Sequence, residues 1–318
     1  MLDNLIFSLN GTVPLFVVMV LGYILFKVGF LTKEFIQVTN KFVFKVTLPA
    51  LMFRDLAKVD IKADFDTSYV MFCVITTLFS IAIVWGLSRL LIKNKSIIGE
   101  FVQGSYRSSA AVLGAAFIQN IYGNSGLSGL MIIGCVPLYN IFAVLILVLE
   151  SPDKERNLNL GQTIKKSLKG IVTNPIILGV FFGSIAGLVN LPIPPMADKT
   201  LASVASLTTP LALLAIGAEF KGRKALGQIK LATVASFIKL VLWPALFLPL
   251  AVYLGFTGQK LVALIVMFGS ITTPSSYIMA KNMGHEGTLT ASICVLTTLI
   301  SAFTLTFWLF LSKSLGWI

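Results

Sequence analysis

The stretch Ser270-Ile271-Thr272-Thr273-Pro274-Ser275-Ser276 puts five hydroxyls and a proline in the middle of an otherwise apolar segment. Pro274 removes a backbone donor and clashes with the carbonyl one turn earlier. A helix running through here is expected to break or unwind near Thr272–Ser276. Irregular backbone at membrane depth is tolerated where it packs in protein or lines a watery cavity. There Thr272, Thr273, Pro274, Ser275 and Ser276 present hydroxyls and freed N–H and C=O groups to a small polar ligand. The same residues also describe a proline kink patched by hydroxyls without a ligand, and both readings stand at this point.

Ser109 and Gly114 lie in a small-residue stretch that matches this one after a shift of 161 positions. Asn140 and Ser301, also 161 apart, each replace an apolar residue inside a span. With Ser109 and the break they ring one candidate cavity, although an interhelical hydrogen bond is also open to Asn140. Lys45 and Lys239 lie deep in their spans, where ionisable groups default to functional roles. An ion pair or a carbonyl contact competes with that role for both. Lys41, Arg107 and Glu219 sit near span ends, close enough to snorkel to water. Cations outnumber carboxylates within the spans, which favours an anionic substrate, as do helix N-termini aimed at the midplane. Glu219 is the one candidate carboxylate, and no Asp is expected where the helices break. His285 lies at a helix end without cysteine company, and the spacing of Cys73, Cys135 and Cys294 fits neither a metal site nor a redox pair. No metal and no cofactor are expected.

Ten spans position these residues: about 6–30, 35–56, 69–92, 105–122 and 127–149, then 175–189, 201–220, 231–254, a ninth from about 261, and 289–311. The 161-residue shift also pairs Pro14 with Pro175, Gly22 with Gly183, Pro49 with Pro210, Thr47 with Thr208, Gly123 with Gly284 and Gly126 with Gly287. One constant offset matching prolines and glycines in several spans reads as an internal duplication. The expected units are residues 1–150, a connector over 151–170 with a basic amphipathic helix near Thr163–Lys169, and residues 171–318. Five spans per unit, an odd number, would insert the second copy upside down.

The 318 residues are 56% hydrophobic and 12% charged, about half the charged fraction of a soluble domain. The class is an all-α, multi-pass membrane protein. The formal net charge of +12 collects in short loops, as the positive-inside rule describes, so nucleic acid is not an expected partner. Loops around residues 27–33, 89–95, 154–169 and 221–230 carry most of the Lys and Arg and are expected on the cytoplasmic side, with both termini outside. The start, Met1-Leu2-Asp3-Asn4, lacks the basic lead of a cleaved signal peptide. The first span is expected to stay.

Thr47-Leu48-Pro49-Ala50-Leu51-Met52-Phe53, Thr209-Pro210-Leu211-Ala212-Leu213-Leu214-Ala215-Ile216-Gly217, Thr273-Pro274-Ser275-Ser276-Tyr277-Ile278-Met279-Ala280 and Gly104-Ser105-Tyr106-Arg107 occur in this order across nearly the whole chain. In this the chain resembles the auxin efflux carrier family, which includes plant PIN-type exporters and bacterial members linked to malate, malonate and similar acids. The resemblance implies ten transmembrane helices in two inverted five-helix repeats. It also implies fourth and ninth helices that unwind and cross near the midplane, a fold shared with bile-acid:sodium symporters. The family's fourth span usually carries an Asn soon after the Arg, then Gly-x-Pro. Here Ser108 and Ser109 follow the Arg, and Gly114-Ala115-Ala116 lacks the proline, so Gly114 alone is expected to bend this helix.

The functional expectation is a secondary active transporter. It would move a small organic anion, such as a carboxylate or auxin-like acid, across the plasma membrane by an elevator-type mechanism. A channel or a membrane sensor on a transporter fold is the alternative. An enzyme is not expected, because the spans hold almost no paired acidic or histidine motifs. The partners are the substrate anion and the lipid bilayer, and a homodimer is one assembly open to such a chain.

Overall fold

In the computed structural model, residues 2–58, 66–122, 128–152, 172–220 and 222–318 are described, and these residues contain helices but no strand. Residues 153–170 of the connector, with its expected amphipathic helix, lie outside the described residues. The first part of the chain holds α1 (Leu2–Lys27), α2 (Lys33–Phe42), α3 (Leu48–Ala57), α4 (Thr67–Leu91), α5 (Ile98–Tyr106), α6 (Ala115–Tyr122) and α7 (Ser128–Leu149). The second holds α8 (Pro175–Leu188), α9 (Pro195–Ser206), α10 (Thr208–Ala218), the short α11 (Gly222–Gly227), α12 (Ile229–Phe237) and α13 (Trp243–Tyr253). It ends with α14 (Gly258–Gly269), α15 (Ser275–Asn282) and α16 (Thr288–Ser314). Wide π-turns join α2 to α3 (Val43–Thr47), lead into α6 (Ala110–Gly114) and join α12 to α13 (Ile238–Leu242).

Six helical stretches among the described residues are long and apolar enough to cross a bilayer: Leu9–Lys27, Thr67–Leu91, Ser128–Leu149, Pro195–Ala218, Ile229–Tyr253 and Thr288–Ser314. Each has 19 residues or more, against the roughly 20 that a hydrocarbon core of about 30 Å requires. Their starts follow from local chemistry. The Asp66 carboxylate accepts from Tyr69 N at 3.0 Å and so caps α4. Lys260 reaches the same carboxylate at 2.6 Å, and these bonds hold Asp66 below the usual carboxylate range. Asn174 caps α8 by accepting from Ile176 N, with Pro175 at the first helical position, where its missing N–H costs nothing.

The outer surface is apolar, with Val17, Phe79, Leu90, Phe181 and Phe303 among its exposed side chains. An aqueous surface does not carry such a belt, but a lipid-facing one does. By contrast α14 is buried all round from Leu261 to Gly269, as a helix apolar on every side must be. Glycines bring two helix pairs close. At Gly22 of α1 a Cβ would collide with the backbone of Leu214 on α10, and at Gly183 of α8 with the backbone of Phe53 on α3.

The fourth span departs from the expected outline, and the ninth breaks close to the expected place. The fourth begins at Ile98, seven residues before the expected start. It stops at Tyr106 and resumes at the π-turn from Ala110. The interruption is Arg107–Ser109 and not a bend at Gly114, which ends the π-turn under the side chain of Met131. The ninth is broken over Ser270–Pro274, between α14 and α15.

Candidate functional site

The site forms where these two helices stop. A helix end leaves its last carbonyls without intrahelical partners, and buried ones must find others. At the end of α5, Gly104 O accepts from Thr272 Oγ1 at 2.8 Å and Ser105 O accepts from Trp243 Nε1 at 3.0 Å. At the end of α14, Met267 O and Phe268 O accept from Lys239 Nζ at 3.1 and 2.6 Å. The ammonium also sits at the negative end of that helix, where a cation is favoured. The interruptions touch directly, since Ser109 N donates to Ile271 O at 3.0 Å. Thr272 N donates to Thr297 Oγ1 on α16 at 3.1 Å, and Gln103 Nε2 to Ser276 O at 3.0 Å. Each break is therefore held open by partners from other helices.

Arg107 occupies the centre. It adopts an extended backbone (φ −70°, ψ 139°) as the cap that ends α5, and only 2% of its surface is exposed. Nη2 donates to Asn140 Oδ1 at 2.9 Å and to Ser275 Oγ at 3.3 Å, and Nη1 to Met279 Sδ at 2.9 Å. Asn140 is oriented in turn by donating from Nδ2 to Val136 O at 2.9 Å and to Met52 Sδ at 3.0 Å. All these partners are neutral. Nε is buried and has no hydrogen-bond partner among the described residues, and no carboxylate there lies within 4.0 Å of the guanidinium.

A cavity of about 50 Å³ opens beside it, lined by Leu51, Met52 and Asp55 of α3, Arg107–Ser109, Ala111, Val136, Tyr139, Asn140, Thr208, Thr209, Thr273 and Ser275. The buried hydroxyl of Thr208 on this wall also has no partner among the described residues. The volume is enough for a few waters. A ligand larger than a carboxylate group needs the walls to part.

Of the residues singled out from the sequence, Ser109, Asn140, Thr273 and Ser275 meet at this cavity. Thr272 and Pro274 are in the break but not on the cavity wall, and Ser276, which was expected in the break, lies in the first turn of α15. The hydroxyl of Ser276 is buried without a partner. Gly114 packs under Met131. Ser301 is fully buried in α16, donating to Thr298 O at 3.3 Å. Neither candidate lysine reaches the cavity. Lys239 is spent on the carbonyls of α14, and Lys45 points outward from its π-turn and is exposed.

Two expectations need correcting. Arg107 does not snorkel, because it is buried and held by Asn140 and by Ser275 and Met279 of α15. Asp55 brings a carboxylate to the cavity that the sequence reading missed. Arg107 carried a signal, an arginine set among Tyr106, Ser108 and Ser109 where the other spans are aliphatic. Asp55 carried none, because it sits beside Arg54 and Lys58 near a helix end.

Residues 7–309 match the family model described as "Membrane transport protein". The chain belongs to this family, the auxin efflux carriers. Its similarity to curated members runs nearly end to end. It is 23% identical to the uncharacterized transporter YfdV of Escherichia coli strain K12, over 97% of this chain and 99% of the relative. It is also 23% identical to an uncharacterized transporter of Methanothermobacter thermautotrophicus, over 95% and 97% respectively. This family member is thus a multi-pass membrane protein with its broken helices meeting at a buried arginine.

Proposed function

We propose that the chain is a secondary carrier for a small organic anion, with Arg107 as the anchor for a substrate carboxylate. The buried guanidinium without an anionic partner carries this reading. Burying an unpaired charge is costly, and a substrate carboxylate, which matches the planar fork of arginine, would offset that cost. Asn140 and Ser275, already bonded to the guanidinium, fix its direction.

We also read the architecture as two inverted five-helix repeats, residues 1–150 and 171–318, whose broken fourth and ninth helices cross at the site. The close approach of Gly22 to Leu214 supports this, because the 161-residue shift converts it into the approach of Gly183 to Phe53. The bundle of α1–α3 and α8–α10 would then be the body against which the broken helices move by an elevator step. In the plasma membrane both termini would face outward. Cysteines placed at Asn94 and Thr257 should be shielded from, and labelled by, an external impermeant thiol reagent respectively.

The test is counterflow in proteoliposomes preloaded with candidate carboxylates. Saturable, trans-stimulated flux that Arg107→Ala abolishes and Arg107→Lys partly keeps supports the carrier. Flux without saturation or trans-stimulation would favour a channel. Wild-type flux persisting in Arg107→Ala would remove the arginine from the site.

A further inference from the structure

The charges around the cavity constrain the substrate further. This step rests on the reading of Arg107 as a carboxylate anchor. The charged groups on each element packed there can be taken in turn. On α3, Arg54 and Lys58 both turn to Asp198 of α9, at 3.5 and 2.7 Å. On α10 the lining residues are the neutral Thr208 and Thr209. Just beyond α10, Glu219 pairs with Lys281 of α15 at 3.0 Å. The α7 wall offers Val136, Tyr139 and Asn140, which carry no charge at neutral pH. That leaves two charged side chains facing the cavity without an opposite charge within 4.0 Å among the described residues: Arg107 and Asp55.

We propose that the cavity selects organic acids carrying a single negative charge, and that Asp55 is the residue that turns dicarboxylates away. A substrate carboxylate at Arg107 satisfies the one cation among the described residues that faces the cavity. A short dicarboxylate held at Arg107 brings its second carboxylate toward Asp55, which lines the same cavity. Like charges brought together in a partly desolvated site repel strongly, and such repulsion is a common device of discrimination. The hydroxyls of Thr208, Thr209 and Thr273 remain for neutral polar groups of the substrate.

The experiment uses the purified full-length protein at pH 7.5 and a matched pair, succinate and monomethyl succinate, which differ by one charge at nearly constant shape. Binding is read by calorimetry and by thermal stabilisation. The monoester should bind the wild-type protein about tenfold or more tightly than succinate. In Asp55→Asn succinate affinity should rise and the gap should close to within about threefold. Equal binding of the pair by wild-type protein would overturn the inference while leaving the anion site standing. So would an unchanged gap in Asp55→Asn. A clear preference for β-alanine over propionate would also overturn it, by making Asp55 an attractor for an ammonium group. If no carboxylate binds, including acetate and propionate, the anion reading itself fails and this inference falls with it.

Discussion

The two interruptions do the same job with different means. The break between α14 and α15 has the residues one would choose for it, a proline flanked by hydroxyls, and Pro274 stands as the residue before α15. The break after α5 has no proline. It is made by Arg107, whose side chain is drawn away to Asn140, Ser275 and Met279. Its orphaned carbonyls are taken by Thr272 and Trp243. Helix breaking here is decided by what the freed backbone and the side chains find elsewhere, so intrinsic propensity is only a weak prior. The first break also carries the charge, while the second supplies neutral hydroxyls. On the proposed reading, function concentrates in the interruption that looks less like one.

The largest expected effect tests that asymmetry. Arg107→Ala should reduce transport by about a hundredfold or more, as loss of a buried charged hydrogen-bonding anchor does, while Ser275→Ala should cost about tenfold or less. Uptake assays on both, normalised to membrane-inserted protein, decide it. The asymmetry is wrong if Ser275→Ala is the more damaging.

The next effect concerns what relates the two halves. Gly22→Ala and Gly183→Ala each force a Cβ into the facing backbone, and overpacking of that kind costs about 1–3 kcal/mol. Thermal unfolding in detergent should place the two variants within about 1 kcal/mol of each other. A large effect at one glycine and none at the other would break the correspondence of the repeats.

Much of this was legible in the sequence, and what was not has identifiable causes. The apolar spans, Pro274 with its hydroxyls and the depth of Asn140 could be read directly, because length and composition signal them without tertiary information. The position of the first break could not, since only contacts with Thr272, Trp243 and α15 end α5 at Tyr106. The lysines misled for the reverse reason. Lys239 lies as deep as expected, yet its charge is used on the carbonyls of α14. Lys45 is just as central in its span but faces outward from a π-turn. Depth was readable, but direction was not.

A smaller effect separates contacts from propensity at the second break. Thr272→Val keeps the shape and removes the bond to Gly104 O, leaving a buried carbonyl at the end of α5 unpaired. That costs about 1–3 kcal/mol. Stability should fall by that amount, and transport should fall with it, because the bond ties the two breaks together.

Pro274→Ala should do least. Restoring the N–H offers the helix a bond it lacked, and if proline alone held the break open the segment would close. For that to happen, Ile271 O would have to release Ser109 N, Thr272 N would have to release Thr297 Oγ1, and Thr272 Oγ1 would have to release Gly104 O. One new backbone bond, worth about 1 kcal/mol net, does not offset three such losses. Residue 274 has helical angles (φ −56°, ψ −26°) that alanine adopts without strain. The remaining cost is the extra freedom of the unfolded chain, about 0.4–1 kcal/mol. Pro274→Ala should therefore be slightly less stable than the parent and transport within about threefold of it, a weaker phenotype than Thr272→Val. A variant with raised melting temperature and abolished transport would mean that the proline sets the geometry, and that the two interruptions are built on different principles after all.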